Sequence, residues 1–135
     1  MDYAYIKDAV MEERLGVSVL KVEGVETRDK RVLNRYKGVV VIRGGEELVN
    51  RFAVEQKGVI LVHPEHHFRE DSFHHRHSGL NSVLCTLARR HAVSIGFSFS
   101  LLLNFYGIER SRLLGRMRQN VRLCRKYNVP MRLGS

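Results

Sequence analysis

The sequence predicts an α/β fold of parallel βα repeats, shortened to an open sheet or an incomplete barrel. Three observations carry this. Short apolar runs alternate with helical patterns along the chain. Two of the runs, GVVVI and GVILV, are continuously apolar, as in parallel strands covered on both faces. Gly16, Gly38 and Gly58 stand just ahead of strand patterns, where left-handed caps end helices. A repeating βα order implies right-handed crossovers. A closed barrel of eight units needs at least ~200 residues, and this chain has 135.

Candidate strands are VSVLKV (17–22), GVVVIR (38–43), GVILVH (58–63), VSIGFSF (93–99) and VPMRL (129–133), with a sixth if Tyr3–Ile6 begins the sheet. Between them, residues 46–56 place Leu48, Val49, Phe52 and Ala53 on one helical stripe. Residues 79–91 repeat Leu80, Val83, Leu84, Leu87 and His91 at helical spacing, with Ser78 as candidate N-cap. The longest helix, about 109–127, puts Leu113, Leu114, Met117, Val121 and Cys124 in one stripe. Weaker helical patterns cover 6–15 and 28–36. No repeat or interdomain linker interrupts the pattern, so residues 1–135 read as a single domain. The final strand pattern, ending at VPMRLGS, is followed by no helix pattern. Its edge calls for a cover: a partner, another copy of the chain, or a local fold.

No run approaches the ~18 apolar residues of a membrane span, and no signal-peptide pattern opens the chain, so a cytoplasmic protein without a membrane partner is expected. Cys85 and Cys124 lie at apolar positions without metal-ligand spacing and read as buried, reduced thiols. The charge is unevenly placed. Residues 1–79 hold thirteen Lys/Arg against thirteen Asp/Glu, whereas residues 80–135 hold ten Lys/Arg and one acid, Glu109, so the whole net charge of +9 lies in the last segment. That asymmetry points to a polyanionic partner.

Most of it sits on the last helix. Arg112, Arg116, Arg118, Arg122, Arg125 and Lys126 spread around the surface left by the apolar stripe, with no acid at i±3 or i±4 among them. Like charges at those spacings cost a few tenths of a kcal/mol per pair, which a polyanion would relieve. Arginine dominates over lysine, which suits bidentate phosphate contacts and stacking on bases. Arg89 and Arg90 extend the basic surface at the end of the preceding helix, where they also suit the helix dipole. Arg110 and Arg112 begin the final helix, where the dipole disfavours cations, so an external anion accounts for them better.

The stretch HPEHHFREDSFHHRHSG, from His63 to Gly79, holds six of the seven histidines and exceeds an ordinary βα connection. Adjacent pairs His66–His67 and His74–His75 send their side chains apart, so the candidate metal ligands reduce to His63, His75 and His77. A solvated loop is favoured over an intact metal centre. Gly44–Gly45 follows a strand and precedes a helix; without a phosphate-loop motif it reads as a tight turn. No catalytic triad or activated thiol can be nominated.

RGGEELVNRFAVE, VILVHPE, SGLNSVLCTLARRHAVSIGFS and RSRLLGRMRQNVRLCRKYNVP follow one another in order. Together, over about residues 38–132, they resemble archaeal ribonuclease P protein component 3, related to the thirty-kilodalton subunit of the eukaryotic enzyme. The resemblance implies a TIM-barrel-like, non-catalytic subunit that binds the catalytic RNA of ribonuclease P. That ribonucleoprotein endonuclease removes the 5′ leader from precursor tRNA. It further implies a small ferredoxin-like protein subunit as partner, access to precursor tRNA through the holoenzyme, and no cofactor in the protein itself, Mg2+ serving the RNA-catalysed reaction. Relatives pass from HPE to the Ser-Gly turn through a shorter basic linker and often carry arginine where this chain has Ser100. The alternative reading is a metal-dependent phosphoesterase of the polymerase-and-histidinol-phosphatase type, using His63 and the following histidines. The HxH motif of such enzymes is absent from the beginning of this chain. A third reading is a shortened paralogue that acts only as a protein-assembly partner.

Overall fold

A computed structural model describes residues 24–25, 28–35 and 39–134. The strand expected at 17–22, the one at Tyr3–Ile6, the helix at 6–15 and the caps at Gly16 and Gly38 lie outside the described residues. The elements are β1 (Gly24–Val25), α1 (Lys30–Leu33), β2 (Val41–Arg43), α2 (Glu47–Val54), β3 (Ile60–Val62), α3 (Ser82–Arg90), β4 (Ser94–Ser98), α4 (Phe99–Leu103), α5 (Gly107–Tyr127) and β5 (Met131–Gly134).

The five strands are all parallel, and their spatial order is their chain order, β1-β2-β3-β4-β5. A sequential order means that each crossover advances in the same direction. Right-handed crossovers then deliver every helix to one face of the sheet, as in a barrel wall. A doubly wound sheet would reverse direction at a switch point. Among the described residues β1 and β5 do not pair, so the sheet is open. The expected βα architecture holds, in its incomplete-barrel form.

Register explains the core. Ile42, Leu61, Ile95 and Met131 are aligned across β2 to β5. The first three are fully buried among Val49, Ala53, Leu84, Ala88, Leu113, Met117 and Cys124 from the helices. The opposite row, Val41, Ile60 and Ser94, is also buried, which is why GVVVI and GVILV read as continuous apolar runs. On β5 the pattern stops short. Met131 and Leu133 pair with buried Ile95 and Phe97, yet they are 38% and 62% exposed. Among the described residues β5 is the outermost strand on its side of the sheet.

Several details differ from the sequence reading. Leu48, Val83 and Leu114, expected on buried stripes, are about half exposed; each sits at the margin of an apolar face, where a one-residue rotation about the helix moves it to solvent. Phe99, expected as the last residue of the strand, instead opens the short helix Phe99–Leu103. Ser78 does not cap α3; Asn81 does, its Oδ1 accepting from the Leu84 amide at 2.9 Å. Ser78 is instead buried beneath the histidine-rich loop. Gly58 has the expected left-handed backbone, at φ +74°, but it does not cap the helix: α2 ends at Val54 with Glu55 as its C-cap. Replacing Asn81 by alanine should cost about 1 kcal/mol, the usual worth of a side-chain N-cap, measured as a lowered denaturant midpoint with unchanged slope.

Candidate nucleic-acid interface

The site lies where β2 and β3 end and the chain passes into helices. After β2, the turn at Gly44–Gly45 leads into α2. Gly45 has φ +119°, and a Cβ there would overlap the His66 carbonyl. The Gly45 amide donates to Asn50 Oδ1 at 2.9 Å and the Gly44 amide to the Val62 carbonyl at 2.8 Å. Both amides are thus consumed internally, and the tight-turn reading stands. Asn50, fully buried in α2, also donates from Nδ2 to the Pro64 and Gly79 carbonyls at 3.2 and 3.3 Å. One amide side chain therefore joins the β2–α2 turn to both ends of the histidine-rich loop. Gly79 has φ +84°, and a Cβ there would overlap the Pro64 carbonyl.

Helix α5 grips the same loop. Arg116 is 2% exposed. Its Nη1 donates to the Glu65 carbonyl (3.1 Å) and the His67 carbonyl (3.3 Å), its Nη2 to the Arg69 carbonyl (2.5 Å), and its Nε to Asp71 Oδ1 (2.9 Å). Asp71 also accepts from the His77 amide at 2.9 Å. Although burial pushes its carboxyl upward, the Arg116 guanidinium and the His77 amide more than offset this, leaving it below the usual carboxylate range. One turn further, Gln119 donates to the Arg76 carbonyl and Ser78 Oγ, and Asn120 to the Ser78 carbonyl at 2.8 Å. The loop is an ordered unit tied down at root and flank.

This corrects the expectation that Arg116 shares the exposed cationic face. Its side chain is a buried clamp, and a guanidinium spent on three carbonyls and a carboxylate has little left for RNA. Arg110 departs from the expectation as well. Its Nε donates to the Leu102 and Phe105 carbonyls at 2.9 and 2.6 Å, and its guanidinium stacks 5.0 Å from the Tyr106 ring centre. These carbonyls, at and just past the end of α4, account for a cation there without an external anion. Arg89 donates to the Asn128 carbonyl at 2.8 Å, just past the end of α5. Sequence reasoning missed Asn50, Gln119 and Asn120. The available signal was a polar side chain beside an apolar helix stripe.

What remains on the surface is concentrated. Arg112, Arg118, Arg122, Arg125 and Lys126 are exposed on α5. Arg112, Arg118, Arg122 and Arg125 form no hydrogen bond or ion pair among the described residues. Arg118, Arg122, Arg125 and Lys126 fall within a sector of about 100° at ~100° per residue. Arg90 is exposed on α3. By contrast, the loop's own arginines are neutralised: Arg69 by Glu47 at 2.8 Å and Arg76 by Asp71 at 3.6 Å.

The histidines are dispersed by the same fold. The His75 and His77 rings lie 5.5 Å apart, and His67 lies 6.5 Å from His77, with its Nε2 2.6 Å from the His77 carbonyl. His63 sits instead at the end of β3 with φ +57°, near Arg43 and His66. Burial, reinforced by those two neighbours, lowers its pKa to about 4 and keeps it neutral. Among the described residues no group of three or more His, Cys, Asp or Glu side chains is placed to hold a metal. His63, His75 and His77 are not brought together.

Glu65 is wholly buried between the loop and α5. Its only close side-chain partner is Asn120, 3.5 Å away, and its Oε1 and Asn120 Oδ1 have no hydrogen-bond partner among the described residues. Burial raises the Glu65 carboxyl to about 7.

These features define a class: a singly wound parallel α/β layer that presents a clamped loop at the strand ends and an unneutralised arginine face on its last helix. Comparison with known proteins shows what the chain is similar to. The chain is 36% identical over 117 residues to ribonuclease P protein component 3 of Methanocaldococcus jannaschii, covering 86% of this chain and 48% of that protein. It is 40% identical over 98 residues to the component 3 protein of Methanosarcina mazei (72% of this chain, 38% of that protein). For the component 3 protein of Thermococcus kodakarensis the figures are 33% over 94 residues, 70% and 40%. A chain in a cryo-EM structure of archaeal ribonuclease P with mature tRNA superposes with a TM-score of 0.70 at 28% identity, covering 98% of this chain and 62% of that one. No family model matches. The chain is thus related, in sequence and fold, to the ribonuclease P protein component 3 family, and it spans less than half the length of these curated relatives.

Two outcomes are expected. Arg116→Ala should lower stability by about 3 kcal/mol, since it leaves three loop carbonyls without their donor and removes the closer of the two cations paired with Asp71. Arg116→Lys should recover little of this, because an ammonium lacks the planar fork; chemical denaturation of both variants checks it. Glu65 takes up its proton more readily folded than unfolded. Its contribution to stability is therefore full below about pH 4.5 and declines as pH rises toward 7. Glu65→Gln should accordingly gain stability relative to the parent between pH 5 and pH 8. A pH-independent difference between the two proteins would refute the assignment.

Proposed function

We propose that the chain is an RNA-binding protein subunit of ribonuclease P, supporting the catalytic RNA in removal of the 5′ leader from precursor tRNA. The observation that carries this is the unneutralised cationic face of α5 on a chain related to component 3 proteins. Exposed arginines at Arg112, Arg118, Arg122 and Arg125, with Lys126, neutralise RNA phosphates and release their counterions on binding. Arg90 extends the surface from α3.

In this reading the protein supplies no nucleophile, and Mg2+ acts with the RNA. The complex works in the cytoplasm, with a small ferredoxin-like subunit as protein partner and precursor tRNA engaged through the holoenzyme. The exposed Met131 and Leu133 on β5 offer a place for a protein neighbour, a second copy included. Among the described residues the candidate ligands of the phosphoesterase alternative form no group of three.

The test is binding of ribonuclease P RNA across a salt series. The wild type should weaken steeply with salt, and the Arg112/Arg118/Arg122 triple alanine variant should lower the slope of log K against log salt by about 2–3. Loss of slope with an unchanged thermal midpoint assigns these residues to the interface. Salt-insensitive association would count decisively against the reading.

A further inference from the structure

The loop from His63 to Gly79 carries two side chains that the fold does not use. Phe68 and Phe73 are 103% and 97% exposed, so neither ring contributes to the core. A single exposed apolar side chain is ordinary. These two, however, stand on backbone that is fixed around them. Arg116 holds the carbonyls of His67 and Arg69, on either side of Phe68. Ser72 Oγ donates to the His75 carbonyl, spanning Phe73, whose ring lies edge-on to His74 at 5.1 Å. Rings displayed on ordered backbone lose little further entropy when a ligand stacks on them.

The same loop is joined to the cationic helix. Arg76 lies across Gly115 of α5 so closely that a Cβ there would stand 2.5 Å from its Cζ. Arg112 and Arg118 are three residues before and after Gly115, hence its neighbours on the helix surface. The absence of a side chain at Gly115 thus seats a loop arginine in the row of helix arginines. Glu70, Asp71 and Glu47 keep the loop itself close to neutral, so attraction for phosphate comes from the helix beside it. Exposed aromatic rings on a loop that is seated through Arg76 on the cation-bearing helix match a single-stranded nucleic acid, whose bases stack while its phosphates are neutralised.

We propose that Phe68 and Phe73 stack on unpaired nucleobases of an RNA strand whose phosphates lie along Arg112 and Arg118, beside the ion-paired Arg76. The proposal rests on the RNA-binding reading above and adds a base-stacking site to it.

The chain contains no tryptophan, which permits a direct test with the full chain. Phe68→Trp and Phe73→Trp each place one fluorophore at the site. Titration with an oligoadenylate 12-mer should quench either tryptophan, while a fully paired RNA duplex of the same length should not. Phe68→Ala and Phe73→Ala should each weaken oligoadenylate binding about 10-fold, with the salt slope and the duplex affinity unchanged. The Arg112/Arg118 double alanine variant should weaken both ligands and reduce the slope. Should the wild type bind RNA with steep salt dependence while the phenylalanine variants match it and the tryptophans stay unquenched, the stacking site is overturned and the RNA-binding reading survives. Absence of wild-type binding to both RNAs and to ribonuclease P RNA overturns the two together.

Discussion

A single buried guanidinium organises this end of the molecule. The segment after β3 is too irregular to satisfy its backbone in a ladder, yet it must lie against α5. Arg116 resolves the conflict by donating to three loop carbonyls and one carboxylate at once. Burying a charge is costly unless it is paired and fully hydrogen-bonded. Here Asp71 supplies the counter-charge; its Oδ1 also accepts from the His77 amide, and its Oδ2 faces Arg76. Only arginine offers enough donors in a fixed plane to do this. Asn50, Gln119 and Asn120 add neutral amide links to the same loop, so the clamp does not require further buried charge.

The clamp divides α5 into three sides. Leu113, Met117 and Cys124 face the sheet through α3 and the core. Arg116, Gln119 and Asn120 face the loop. Arg118, Arg122, Arg125 and Lys126 face outward, without acids to balance them. A helix serving only as a scaffold would not gather four cations in one sector, because their mutual repulsion opposes folding. In the proposed reading a polyanion relieves that repulsion. The relationship to component 3 proteins gives the polyanion its identity in the proposed reading.

The buried Glu65 is the counterpart of this arrangement. It lies under the loop, out of reach of solvent, and the nearby Arg116 spends its donors on backbone carbonyls and Asp71. A neutral carboxyl fits a pocket shared with an amide; a carboxylate does not.

Composition and periodicity alone determined the parallel βα order, because continuous apolar runs of strand length and 3.6-residue stripes follow from local burial on each element. They likewise determined that the excess charge lies after residue 80 and that the thiols are buried, as Cys85 and Cys124 are. The resemblance over residues 38–132 was equally legible, since it rests on the order of short segments. Tertiary structure alone decided which cations are free. Arg116 and Arg118 are two residues apart and chemically identical, but a rotation of about 200° along the helix puts one beneath a loop and the other in water. The same holds for Ser78 against Asn81 as the cap of α3, and for His63 against His75 and His77 as separated rings. In each case the outcome depends on what a distant segment places opposite the residue, and no local pattern encodes that.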